Sequence, residues 1–111
     1  MANRIPTGTS ICWCSLGINI GFEQDGKGEK SIRPVLIIKG FSQDVLLCIP
    51  LTTKLKEGKY YADIVLGDGI KRKVILSQLR LIDTKRLQEK ICRVDSFQFQ
   101  VIKQKIIHII G

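Results

Sequence analysis

The chain has 111 residues, 44% hydrophobic and 25% charged, and carries a net charge of +8. That size supports a single domain, taken here as residues 1–111, and that balance excludes a disordered chain. No apolar run reaches bilayer-spanning length, and residues 1–8 lack the basic-then-apolar layout of a secretory signal, so the expectation is a soluble, cytoplasmic protein with no membrane partner.

In chain order, Thr9 to Leu16 alternates and is rich in β-formers, which predicts a strand with Trp13 as its large anchor. Ser15 to Ser31 is a polar loop, with Gly21, Gly26 and Gly28 freeing its backbone. Arg33 to Lys39 is the second strand. Its run Val35-Leu36-Ile37-Ile38 suits a buried position, and Pro34 fits a strand start because it lacks an N–H. Arg33 is thus a cation at the root of a polar loop, which suits either a phosphate site or an ordinary surface ion pair. A turn over Gly40 to Asp44 leads to a third strand, Val45 to Ile49, which Pro50 is expected to end.

Thr52 and Thr53 follow, then a basic loop from Lys54 to Lys59. Two hydroxyls there can serve a phosphate, or can cap their own turn. Tyr60 to Leu66 is a fourth strand, Gly67-Asp68-Gly69 a tight turn, and Ile70 to Leu76 a fifth strand. On that strand Lys71 and Lys73 share one face and Arg72 takes the other. After a break at Ser77-Gln78, Leu79 to Ile82 and Leu87 to Val94 read as the last two strands. Asp95 with Gln98 makes a capping box for a C-terminal helix, with Val94 and Phe99 as its staple, while Phe97-Gln98-Phe99-Gln100 also alternates as a strand would over that first turn. Phe99, Ile102, Ile106, Ile109 and Ile110 form the apolar stripe. The predicted class is mainly β with one C-terminal helix, α+β, in a bent sheet or small barrel.

The charge excess has a location. Ten basic residues face five acids between Lys54 and Lys90, which favours a polyanionic partner. The four cysteines, Cys12, Cys14, Cys48 and Cys92, have no zinc-like spacing, so no metal and no cofactor is expected, and the thiols are read as buried small hydrophobes. One histidine, His108, excludes a two-histidine acid–base ribonuclease. No carboxylate cluster suits a two-metal nuclease, and no phosphate-binding Gly-rich loop suits nucleotide hydrolysis. What remains is arginine and threonine on a basic surface. RNA carries its own nucleophile, the 2′-OH, so such a pair can act by orienting that hydroxyl and stabilising a charged phosphorane.

Three ordered motifs carry a resemblance. Gly21-Phe22-Glu23-Gln24-Asp25-Gly26 with Arg33-Pro34-Val35-Leu36, then Ile49-Pro50-Leu51-Thr52-Thr53, then Val74 to Asp83 around Gln78-Leu79-Arg80, resemble the MazF/PemK toxins of bacterial type II toxin–antitoxin systems. The resemblance implies an SH3-like small β-barrel of the MazF, PemK and CcdB kind and a homodimer. It implies an mRNA interferase that cuts single-stranded RNA without metal, leaving a 2′,3′-cyclic phosphate and a 5′-OH, and a cognate antitoxin that neutralises it. Arg33 and Thr52 match the catalytic positions. Glu23, Gln24, Thr53, Lys54, Lys56, Lys71, Lys73 and Gln78 are the expected RNA contacts.

Two departures stand out. Gly28 to Ile32 lengthen the first loop, and Lys73 stands where some members carry an acid, so an acid's proton-transfer role does not carry over. The alternative on the same fold is a toxin that binds without cutting: a gyrase inhibitor, whose C-terminal aromatics this chain lacks, or a degenerate RNA-binding module.

Overall fold

A computed structural model of the chain describes residues 9–15 and 32–111. The loop read over Ser15 to Ser31, with Glu23 and Gln24, lies beyond Ser15 outside the described residues. Among the described residues seven strands form one bent sheet: β1 (Ser10–Ser15), β2 (Ile32–Gly40), β3 (Val45–Thr52), β4 (Tyr61–Val65), β5 (Lys71–Ile75), β6 (Arg80–Asp83) and β7 (Leu87–Arg93). One helix, α1 (Ser96–Ile110), closes the chain. The class is therefore α+β, as read. All ladders are antiparallel, in the order β4-β5-β3-β2-β1-β7. Among the described residues the ladder does not close on itself; β4 and β7 are its edges.

The strand at the bend is β3. One of its sides pairs with β2, while the other pairs first with β6, through Val45 to Cys48, and then with β5, through Leu51 and Thr52. Pro50 does not end the strand, as the sequence suggests it should. It is buried inside β3, in the gap between those two partners, where a missing N–H disturbs the ladder least.

Both faces of β2 and β3 are covered, which is why their apolar runs are unbroken. On one face Ile11, Leu36, Ile49, Leu51 and Val74 pack with Phe99, Ile102 and Ile106 of α1. On the other, Val35, Ile37, Leu46 and Ile82 pack with Cys12, Cys14 and Cys48. Cys12 and Cys14 do share a buried face, and that sends Trp13 to the opposite one. There the helix-side core reaches Ile11 but not two residues further, so Trp13 is 40% exposed and is not an anchor.

The helix begins where the sequence places it. Asp95 Oδ1 accepts from the Gln98 backbone N–H at 2.8 Å, and Val94 and Phe99 are buried in the same cluster. The three buried side chains of α1 each contribute about 1.5–3 kcal/mol of burial free energy. Ile110 is the exception to the predicted stripe. One residue past half-buried Ile109, it is rotated off the face and 73% exposed. The tight turn at Gly67-Asp68-Gly69 forms as expected: Gly69 has a φ of +77°, Asp68 Oδ1 accepts from Ile70 N–H at 3.0 Å, and Gly69 N–H donates to the Leu66 carbonyl at 3.2 Å. No helix among the described residues is long and apolar enough to cross a membrane.

Candidate active site

The two catalytic candidates come to one cleft just past the end of the β2–β3 ladder. Val35 is opposite Pro50 and Leu36 opposite Ile49, so each step back along β2 is a step forward along β3. The ladder between these strands ends at Val35 and Pro50, and Arg33 and Thr52 each stand two residues beyond that last pair. On the other side of β3, Thr52 is opposite Lys73 and Lys73 opposite Asp63. One row of same-face residues thus crosses β3, β5 and β4 as Thr52, Lys73 and Asp63.

Arg33 and Thr52 line a cleft of about 230 Å³, with Pro34, Leu51, Thr53, Lys54 and Arg72. Arg33 and Thr52 are half-buried, which fixes them at the cleft without sealing them from it. Thr52 Oγ1 accepts from the Lys54 backbone N–H at 3.1 Å. Both readings of this hydroxyl are compatible: it caps its own turn, and its O–H remains a donor for an incoming oxygen.

The other expected contacts divide. Thr53 and Lys54 stand at the cleft. Lys71 and Lys73 line a neighbouring depression of about 380 Å³ with Leu55, Glu57, Asp63 and Val65. Lys73 buries its stem and extends its ammonium to a surface partner, 2.7 Å from Asp63 Oδ1 and 3.7 Å from Glu57 Oε2. The hydrogen bond from Lys73 holds the Asp63 carboxyl below its ordinary range, and Asp63 raises Lys73 in turn. Lys56, on the exposed β3–β4 loop, lines neither cleft, and nor does Gln78. Gln78 sits in a 3₁₀ turn between β5 and β6, with its Oε1 buried and accepting no hydrogen bond among the described residues.

Sequence reasoning missed Arg72. It walls both depressions, and a fork of two bonds ties it to Asp68, Nη1 to Oδ1 at 3.0 Å and Nη2 to Oδ2 at 2.9 Å. That pairing lowers the Asp68 carboxyl and raises the guanidinium. The signal was present: Arg72 is the one cation of Lys71-Arg72-Lys73 on the face opposite its neighbours. Among the described residues no three His, Cys, Asp or Glu side chains are grouped as a metal site requires.

The sequence profile of the PemK-like, MazF-like toxins of type II toxin–antitoxin systems matches residues 9–110. Solved structures share the fold. MazF (Form-I) from Deinococcus radiodurans has a TM-score of 0.73 at 16% identity, covering 97% of this chain and 98% of that one. An endoribonuclease from Mycobacterial species has a TM-score of 0.75 at 13% identity, covering 100% and 96%. A second such endoribonuclease, in complex with its cognate antitoxin, has a TM-score of 0.73 at 14% identity, covering 96% and 95%. No curated protein sequence matches this one.

Proposed function

The chain belongs to the PemK-like, MazF-like toxins of type II toxin–antitoxin systems, and from that premise we propose that it is a metal-independent endoribonuclease acting on single-stranded RNA in the cytoplasm. The observation that carries the proposal is the placement of Arg33 and Thr52 at one cleft.

The substrate's 2′ oxygen attacks the adjacent phosphorus and gives its proton to solvent water, which returns a proton to the departing 5′ oxygen. The bond to the 5′ oxygen breaks, and that oxygen leaves as an alcohol. The products are a 2′,3′-cyclic phosphate and a 5′-OH. Arg33 supplies a planar fork of donors to the phosphorane, whose charge grows in the transition state. Thr52 donates its hydroxyl to a phosphate or sugar oxygen and holds the reacting atoms in line. Thr53, Lys54 and Arg72 position the flanking phosphates, and Lys56, Lys71, Lys73 and Gln78, with Glu23 and Gln24 of the first loop, extend the RNA contact. DNA lacks the 2′-OH and is not cut.

The proposal includes a homodimer and a cognate antitoxin that blocks the cleft. Relatives of the same fold bear on the second: one is an endoribonuclease with its cognate antitoxin and another a MazE–MazF complex. The test is purified protein on a mixed-sequence transcript in excess chelator, with product ends read by mass spectrometry. Cyclic-phosphate ends that vanish in Arg33→Ala support the reading. Intact RNA with salt-sensitive binding would instead favour the non-cutting alternative.

A further inference from the structure

We infer that the groove between α1 and residues 58–61 is a second binding surface for single-stranded RNA, holding the stretch of transcript beside the one being cut; this rests on the endoribonuclease reading above. The groove is a depression of about 840 Å³ that neither Arg33 nor Thr52 touches.

Its chemistry suits unpaired bases on a phosphate chain. Tyr60, Tyr61 and Phe97 supply three rings, and Lys59, Lys105 and His108 supply basic groups, while no carboxylate lines it among the described residues. Phe97 is 77% exposed on the outward side of a helix whose inward side is Phe99, Ile102 and Ile106. With Tyr60 and Val101, also exposed and lining the same groove, it makes a contiguous apolar patch of the kind that marks an interaction site. Lys59 Nζ lies 5.3 Å from the Tyr60 ring centre, so cation and ring already form one platform. Every unpaired base offers a face to such rings, whereas a duplex hides its faces in its own stack.

Continuity with the cleft favours RNA over an acidic peptide. The β3–β4 loop walls all three depressions in sequence: Thr53 and Lys54 at the Arg33 cleft, Leu55 and Glu57 at the next, Lys59 and Tyr60 at the groove. Lys105 of the groove lies near enough to Asp63 of the middle depression to help lower that carboxyl. A strand leaving the cleft therefore follows one continuous wall to the rings.

The test uses the full chain and two RNAs that share a cleavage sequence mapped with the wild type, one of about 5 nucleotides and one of about 15, a span set by the reach of such sites. Phe97→Ala and Lys105→Gln each remove an exposed side chain. The expected result is a roughly tenfold rise in KM for the long RNA, the scale of one lost stacking contact, with unchanged kcat and unchanged cleavage of the short one. Wild-type kinetics on both RNAs, or an equal loss on both, overturns the inference. So does lost neutralisation by the antitoxin with long-RNA cleavage intact, because the groove then belongs to a protein. If the wild type cuts no transcript, so that no cleavage sequence can be mapped, the nuclease reading fails by itself, and mixed-sequence RNAs of the same two lengths take the place of the substrates. Anisotropy binding of the long RNA then decides: a tenfold loss in Phe97→Ala upholds the groove, and equal binding overturns it.

Discussion

Lys73 Nζ lies 2.7 Å from Asp63 Oδ1, on the rung that also carries Thr52. A cation expected to meet phosphate is thus shared with a carboxylate that is 81% exposed. Removing that carboxylate should release the ammonium for RNA. Asp63→Asn is expected to tighten RNA binding and to steepen its salt dependence by about 0.7 in log–log slope, the increment for one added contact on a single strand. Adding Glu57→Gln, which removes the second partner at 3.7 Å, should extend the effect. Titrations across a range of salt read it directly, and an unchanged slope would leave Lys73 a purely structural cation.

The pair at the cleft can be separated from its local structural role. Arg33→Ala should lower the single-turnover rate by about 10²–10³-fold, the scale of one lost donor to a developing anion. Arg33→Lys should recover little of it, because an ammonium lacks the planar fork. Thr52 needs a finer comparison, since its Oγ1 also caps the Lys54 N–H. Thr52→Ser keeps both roles and should cut RNA, whereas Thr52→Val keeps the shape and should not. A Thr52→Val protein that cuts at the wild-type rate would confine the hydroxyl to its turn.

Much of the fold was legible because its signals are local. Alternation, tight-turn glycines and the Asp95–Gln98 cap are each written within a few residues, and the strands and helix follow them. Pro50, Trp13 and Ile110 were misread for one shared reason. Each depends on what the rest of the molecule sets beside it: a gap between partner strands, the limit of the helix-side core, the angle at which α1 lies. The site divides in the same way. The motifs name Arg33 and Thr52, but the part played by Arg72 appears only when β5 is laid against β3.

Acid should weaken the fold through three carboxyls. Asp63 is held below its ordinary 3.8 by Lys73, Asp68 by Arg72, and Asp95 by the backbone N–H of Gln98. A carboxyl depressed in the folded state stays ionised there while the unfolded chain takes up protons. Its stabilisation is complete above about pH 4 and is lost as pH falls through the folded value. Urea midpoints should therefore hold from pH 7 to about pH 5 and drop below pH 4. Asp95→Asn should lower the midpoint at pH 7 and flatten the drop; an equally steep drop in that variant would remove Asp95 from the account.

The thiols should be inert in the native protein. Burial pushes Cys14 up to about 11 and Cys48 up to about 12, and it raises Cys12 as well. The thiolate is the reactive form, so at pH 8 these three should react with a disulfide reagent far more slowly than after unfolding. Half-buried Cys92 should be the first to label. Equal rates at all four positions in the native protein would contradict the packing around Cys14 and Cys48.

Gln98 offers the sharpest test of how the helix is fastened. In an ordinary capping box its side chain would turn back to the backbone N–H of Asp95. Here its amide acts as a peptide group against the edge of β4: Oε1 accepts from Val65 N–H at 2.8 Å, and Nε2 donates to the Val65 carbonyl at 2.8 Å and to Asp95 Oδ2 at 2.9 Å. The helix is thereby stitched to an edge strand that would otherwise present those groups to other chains. Gln98→Leu should cost about 1–2 kcal/mol, one modest net bond at each end of the amide. Gln98→Glu separates the two arrangements. A carboxylate suits a capping box, but at Val65 it lacks the donor and faces both a carbonyl and the Asp95 carboxylate. It should melt below wild type at pH 7, and the difference should narrow as acid protonates the new carboxyl. A Gln98→Glu protein as stable as wild type at pH 7 would show that the side chain serves the helix start alone and that β4 is not held by it.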